Sequence, residues 1–201
     1  MKKLFPLLLA LLLFLCGCSQ PEASPAMYIE PAQLTEEEQA IADLLGANTQ
    51  QLIYDFVVDE TVQRMSVSAY ELIDGQWQPF IGGPDSGIAF TDTKGRIALD
   101  FDRLEEGLRE AIQSENYKGS TAWSAEIDDS PAGTSWATSH LSQTTEITYE
   151  VEVPLAIQIV TSKNEIRSFD PDYYFHPEEY ASMGYDHVYA ITVLFSQEPL
   201  S

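Results

Sequence analysis

The sequence predicts an α+β or mainly β domain: an antiparallel sheet or β-sandwich with two short helices packed against it. Two observations carry that expectation. Runs of alternating apolar residues recur along the chain, separated by turn pairs such as Asp74-Gly75. Only two stretches, near residues 35–45 and 102–112, space their apolar residues as a helix does. No repeat of 20 to 50 residues is present, so one α+β or mostly-β body is expected rather than an array.

In chain order, Thr35-Glu36-Glu37-Glu38 has the form of a capping box, in which Thr35 and Glu38 each satisfy the other's free N–H. Ile41, Leu44 and Leu45 follow at helical spacing and Gly46 supplies the stop. Leu52, Tyr54, Phe56 and Val58 alternate as a strand. Val62 to Ile73 is a second, with Met65, Val67 and Ala69 on one face and Tyr70 and Leu72 on the other. A bulge or two covered faces would produce that mixture. Asp74-Gly75 suits a tight hairpin, because such turns need positive φ, and it sets Leu72 opposite Trp77. After the loop Gly82 to Gly87, a further hairpin is expected around Lys94-Gly95, pairing Phe90 with Leu99 and Ile88 with Phe101.

Asp102 and Glu105 read as the start of the second helix, with Leu104, Leu108, Ala111 and Ile112 as its stripe. Gly107 inside it costs about 1 kcal/mol relative to Ala. Thr121, Trp123, Ala125 and Ile127 alternate inward along a strand, and Asp128 to Ser135 is a turn-rich loop. Ile147, Tyr149, Val151 and Val153 then face away from Glu146, Thr148, Glu150 and Glu152. The apolar side continues through Leu155, Ile157 and Ile159, with Pro154 marking an edge or a bend. Ser168 to His187 is long and irregular. Val188 to Phe195, apolar on both faces, reads as a central strand.

The N-terminus has a separate character. Met1-Lys2-Lys3 is basic, Leu4 to Leu15 is almost unbroken apolar sequence, and Gly17 precedes Cys18. That order is a secretory signal's. From Leu4 to Gly17 the stretch is 14 residues, shorter than the roughly 20 that span a bilayer. Leu15-Cys16-Gly17-Cys18 resembles the lipobox of bacterial lipoproteins, with Cys16 where that class usually has a smaller residue such as Ala or Ser. The resemblance covers residues 1 to 18. It implies cleavage before Cys18 and a diacylglyceryl group on its thiol, so the chain divides into a signal peptide (1–17), a lipidated cysteine and flexible tether (18–33) and one extracytoplasmic globular domain (34–201). Pro21, Pro25 and Pro31 fit the tether. Localisation follows: the cell membrane, lipid-anchored, facing outside the cytoplasm.

Loss of Lys2 and Lys3 leaves 8 basic residues against 32 acidic ones, a net charge of −24. Such a body repels phosphate backbones, which argues against nucleic acid as a partner. With Cys16 removed and Cys18 acylated no thiol remains, which excludes a disulfide, a thiolate nucleophile and Cys-ligated zinc. Gly133-Thr134-Ser135-Trp136-Ala137 misses the nucleophile-elbow pattern at its last position and lacks the strand-to-helix context; a polar hairpin loop is the better reading. No catalytic residue, metal ligand or cofactor is assigned.

The candidate binding residues are Asp172, Tyr173, Tyr174, His176, Tyr180, Tyr185 and His187, in the most unusual local composition of the chain. Exposed aromatics among acids suit a protein or glycan contact; a cover for the end of the sheet is the plainer reading of the same residues. The expectation is therefore a membrane-anchored lipoprotein with a non-catalytic domain that binds an envelope protein or glycan. Two alternatives stand beside it: an envelope hydrolase using carboxylates or a metal held by His176 and His187 with Asp172 or Asp186, and a ligand-capturing lipoprotein of a transporter. Detergent-phase partitioning checks the anchor. Wild type should enter the detergent phase and Cys18→Ser should leave it, since two acyl chains on one residue anchor stably while one is marginal.

Overall fold

A computed structural model describes residues 26–45, 50–83, 86–124, 134–167 and 170–200. Cys18, the signal stretch, Gly46, Ala125 and Ile127 lie outside the described residues. Twelve strands and two α-helices follow in order: β1 (Tyr28–Pro31), α1 (Glu36–Leu45), β2 (Gln50–Val57), β3 (Arg64–Ile73), β4 (Gln76–Ile81), β5 (Ile88–Ala89), β6 (Lys94–Phe101), β7 (Gly107–Ser114), β8 (Lys118–Ser124), β9 (Ser135–His140), β10 (Thr145–Glu146), β11 (Val153–Thr161), α2 (Pro177–Met183) and β12 (His187–Ser196). A 3-10 turn, Pro171–Phe175, precedes α2.

The strands form two six-stranded antiparallel sheets, the sandwich expected from the sequence. Sheet A has the order β10-β1-β2-β6-β7-β8. Sheet B has the order β4-β3-β12-β11-β9, with β5 also on the β3 edge. Their inner faces share one core. Ile29, Tyr54, Phe56, Ile97, Leu99 and Leu108 come from sheet A, and Met65, Val67, Leu155, Ile191, Val193 and Phe195 from sheet B. The Phe56 ring sits between Phe90 at 5.4 Å and Phe195 at 5.2 Å. Each buried aromatic or branched side chain here contributes about 1.5–3 kcal/mol through water exclusion. Two polar ties cross the gap. Tyr54 Oη donates to the Leu155 carbonyl at 3.0 Å, and its burial pushes the phenol pKa up. Gln158, fully buried, donates to the Asp102 carbonyl and the Thr138 hydroxyl and accepts from the Leu104 amide at 2.7 Å. Burying that amide is tolerable because both its ends are satisfied.

Local signals explain the hairpin and the first helix. Asp74 and Gly75 both have positive φ, 52° and 77°, and Leu72 pairs with Trp77. The capping box at α1 is reciprocal: Thr35 N–H to Glu38 Oε2 at 2.8 Å, Glu38 N–H to Thr35 Oγ1 at 3.2 Å. These bonds, with Arg96, hold the Glu38 carboxyl below its usual range. The mixed pattern of β3 arises because both its faces are covered: Met65, Val67 and Ala69 enter the inter-sheet core, while Tyr70 enters a second cluster on the far side.

Four expectations are corrected. The stretch 102–112 is a turn followed by strand β7, not a helix. Leu108 and Ile112 fit periods of both 2 and 3.6, and an inward acid, Glu110, hides the alternation. Gly107 has φ 151°, and a Cβ there would stand 2.4 Å from the Trp123 carbonyl oxygen. The Lys94-Gly95 pair is not a turn. Gly95 lies in β6 beneath Phe56, whose ring a Cβ would meet at 2.6 Å, and Ile88 pairs with Met65 rather than Phe101. Residues 147–152 are not a strand: Glu150 takes φ 59° where the chain passes from β10 in sheet A to β11 in sheet B. Strand β1 lies inside the stretch expected as tether. Of the two helices, α1 lies beside sheet A and α2 on sheet B.

Glu110 faces inward opposite Leu99, one carboxylate oxygen has no hydrogen-bond partner among the described residues, and burial lifts its pKa from 4.5 to about 7. A carboxyl whose folded pKa is raised binds its proton more tightly in the fold. Its ionisation therefore costs stability as pH rises between 4.5 and about 7. Partial solvent access keeps the cost to about 1–2 kcal/mol. Glu110→Gln should raise Tm at pH 8 and leave it nearly unchanged at pH 4.5, read by thermal melts at both values.

Candidate functional site

The segment from Asp170 to His187 packs on the outer face of sheet B. Asp170 caps the 3-10 turn through the Asp172 amide at 3.1 Å, Pro171 and Pro177 start the two helical pieces, and Gly184 ends α2 in the left-handed region. Tyr174 is 8% exposed and Tyr180 1%; both join Tyr70, Ile157, Ile159, Val188 and Ala190 in a second core. Trp77 stacks on Tyr174 at 5.1 Å and donates its indole N–H to the Tyr174 carbonyl at 2.8 Å. Below them Glu152 accepts from the hydroxyls of Tyr70, Tyr174 and Thr192. Burial, and then the hydrogen bond to this carboxylate, push both phenol pKa values up.

The candidate binding residues thus separate. Tyr174 and Tyr180 face inward. Asp172, Tyr173 and His176 are exposed beside Phe175, which is 52% exposed. Tyr185 is half-buried, its hydroxyl accepting from the Arg167 amide at 2.9 Å. His176 stands 3.5 Å from Glu178, while His187 Nδ1 lies 2.7 Å from Glu71 and its ring stacks on Tyr189. The two histidines do not converge, and no group of three or more His, Cys, Asp or Glu able to hold a metal ion occurs among the described residues.

His187 borders a cavity of about 290 Å³ at one end of the sandwich, lined also by Arg103, Glu105, Thr134, Ser162 and Asp186. Arg103 is buried, pairs with Glu105 and lies 5.2 Å from the centre of the Trp136 ring. Its charge is thereby taken up within the fold.

A larger feature lies on the outer face of sheet A. Antiparallel register places three rows across β2, β6, β7 and β8. The middle row, Ile53–Ala98–Ala111–Ser120, is small or apolar. On either side run Asp55–Arg96–Gln113–Lys118 and Gln51–Asp100–Arg109–Ala122. The small side chains leave two adjoining depressions of about 280 and 440 Å³ that share Arg96, Ala98, Arg109 and Ala111. Helix α1 walls one side. It is tethered by Arg96, which bonds Asp55 at 2.6 Å and Glu38 at 3.2 Å, yet Ile41 stays 60% exposed and Leu44 78%. Arg109 and Lys118 make no ion pair among the described residues. The β7–β8 hairpin that carries them is fixed by Asp92, which accepts from the Ser114 hydroxyl and from the amide and side chain of Asn116. These bonds hold its carboxyl below the usual range.

No family model, curated protein or solved structure matches this chain.

The sequence reading missed this face because its residues come from four strands, and each alone is unremarkable. Placing β7 as a helix also removed Arg109 and Ala111 from the sheet. The available signal was the spacing Arg96-x-Ala98 and Arg109-x-Ala111, which repeats a cation beside a small residue with period 2.

Truncating the two kinds of tyrosine should separate core from surface. Tyr180→Ser should cost about 3–5 kcal/mol of stability by urea unfolding, while Tyr173→Ser should change it by less than about 0.5 kcal/mol.

Proposed function

We propose that the chain is a lipid-anchored lipoprotein of the cell envelope whose β-sandwich is a non-catalytic docking module, with the outer face of sheet A as the surface that takes an envelope protein. The observation that carries this reading is the open layer between α1 and the sheet. Exposed apolar side chains beside an open apolar floor mark contact surfaces, and here Ile41 walls a small-residue floor rimmed by Arg109 and Lys118. Anchoring through Cys18 is supported by the lipobox-like sequence, and the acidic charge of the body supports a domain that stands off anionic headgroups on its tether. Among the described residues no helix is long and apolar enough to cross a membrane. Both sheets belong to one sandwich with a shared core, which favours docking over capture of a small ligand between two lobes.

The hydrolase reading has one observation in its favour. The Glu71 carboxylate orients His187 at the rim of the end cavity, an arrangement that suits a general base. The readings part in one experiment. A photo-cross-linking phenylalanine analogue replaces Ala111 in cells, with Phe175 as the comparison position. Docking predicts a discrete protein adduct at 111, lost with Arg109→Glu and retained with His187→Ala. Absence of adducts at 111, together with a hydrolytic activity that His187→Ala abolishes, would replace docking by catalysis.

A further inference from the structure

We infer that the segment docking on sheet A is an acidic, amphipathic α-helix of a partner protein. This rests on the docking reading above and adds the chemistry of the occupant. Charge gives the sign. Residues 19–201 hold 8 cationic side chains against 32 acids, and four of the eight, Lys94, Arg96, Arg109 and Lys118, lie on this one face of β2, β6, β7 and β8 beside two acids, Asp55 and Asp100, with Arg96 taken by Asp55 and Glu38. An acidic partner is repelled elsewhere and steered here. The floor gives the second property. Ala98 and Ala111 at its centre leave room for apolar side chains from above, and Ile41 offers them a wall.

The backbone gives the third. A segment lying across the face of a sheet, rather than along its edge, finds no ladder hydrogen bonds. It must satisfy its own N–H and C=O groups, as a helix does. Four strands about 4.8 Å apart make a floor wide enough for a helix about 10 Å across. Helix α1 itself shows part of the chemistry this face accepts: its Glu38 bonds Arg96 and its Ile41 lines the depression. The −24 charge of residues 19–201 argues against an anionic membrane and against a second copy of the chain, because each would meet that charge over a wide area, whereas a single helix about 10 Å across meets only the rows of this face.

The probe is a fluorescein-labelled, end-capped peptide of residues 33–46, itself an acidic amphipathic helix former, titrated with the full lipoprotein in neutral detergent micelles at about 50 mM salt. Saturable binding is expected. It should weaken about tenfold or more with Arg109→Glu and Lys118→Glu combined, persist with Arg109→Lys, and weaken similarly when Glu36, Glu37 and Glu38 of the peptide become Gln. Unchanged melting of the charge-reversed protein shows that the loss is at the surface. No saturation at millimolar protein, or equal binding by the charge-reversed protein, overturns the inference; if the adduct at 111 persists, the docking reading survives without it. Sedimentation showing a wild-type dimer that Arg109→Glu disperses assigns the face to a second copy and overturns the inference. So does binding to phosphatidylglycerol vesicles that the same substitution abolishes.

Discussion

A bulge in β11, between Pro154 and Ala156, turns the strand over partway along its length. Before it Val153 and Leu155 point into the inter-sheet core; after it Ala156, Gln158 and Val160 do so, and Ile157 and Ile159 face the other way. Pro154 suits this point because it has no amide to donate, and β9 pairs with β11 only from Ala156 onward. The consequence is a strand buried on both faces, beside β12, which is also buried along nearly its whole length. An antiparallel sheet with two apolar faces needs two covers. Sheet A supplies one and the segment from Asp170 to His187 the other, so the tyrosines of that segment are held by the sheet they cover.

This division decides which sheet face is left uncovered among the described residues. Sheet B has spent its outer face on a second core, locked by Trp77 stacking on Tyr174 and by the three hydroxyls that meet at Glu152. Sheet A has no such cover among the described residues. Its outer face keeps a small-residue row between charged rows, and α1 reaches it through Glu38 while leaving Ile41 and Leu44 in solvent. The same asymmetry divides the two faces: the aromatic-rich segment stabilises sheet B, and the plain alternating strands of sheet A present the open face.

The legible parts of the sequence were those with local chemical causes. The capping box at Thr35 and Glu38, the Asp74-Gly75 turn and the doubly apolar β12 each follow from a few adjacent residues. What misled were residues whose reason lies across the fold. Gly95 reads as a turn but exists to admit the Phe56 ring. Glu110 interrupts the alternation of β7 from inside the sandwich, and Glu150 breaks an otherwise regular run where the chain changes sheets. The composition of Phe169 to Tyr185 pointed to a contact surface, yet Tyr174 and Tyr180 contact the molecule's own sheet, while Asp172, Tyr173 and His176 remain outward.

Native-state amide hydrogen exchange measures the central claim, that the segment over sheet B is core and not a mobile recognition loop. The amides of His176 and Glu179, which bond to the Tyr173 and His176 carbonyls, are the reporters. The account predicts opening free energies within about 1–2 kcal/mol of those for β12, with both regions lost together under denaturant. Exchange of these amides by a local opening several kcal/mol cheaper, with β12 still protected, would contradict it.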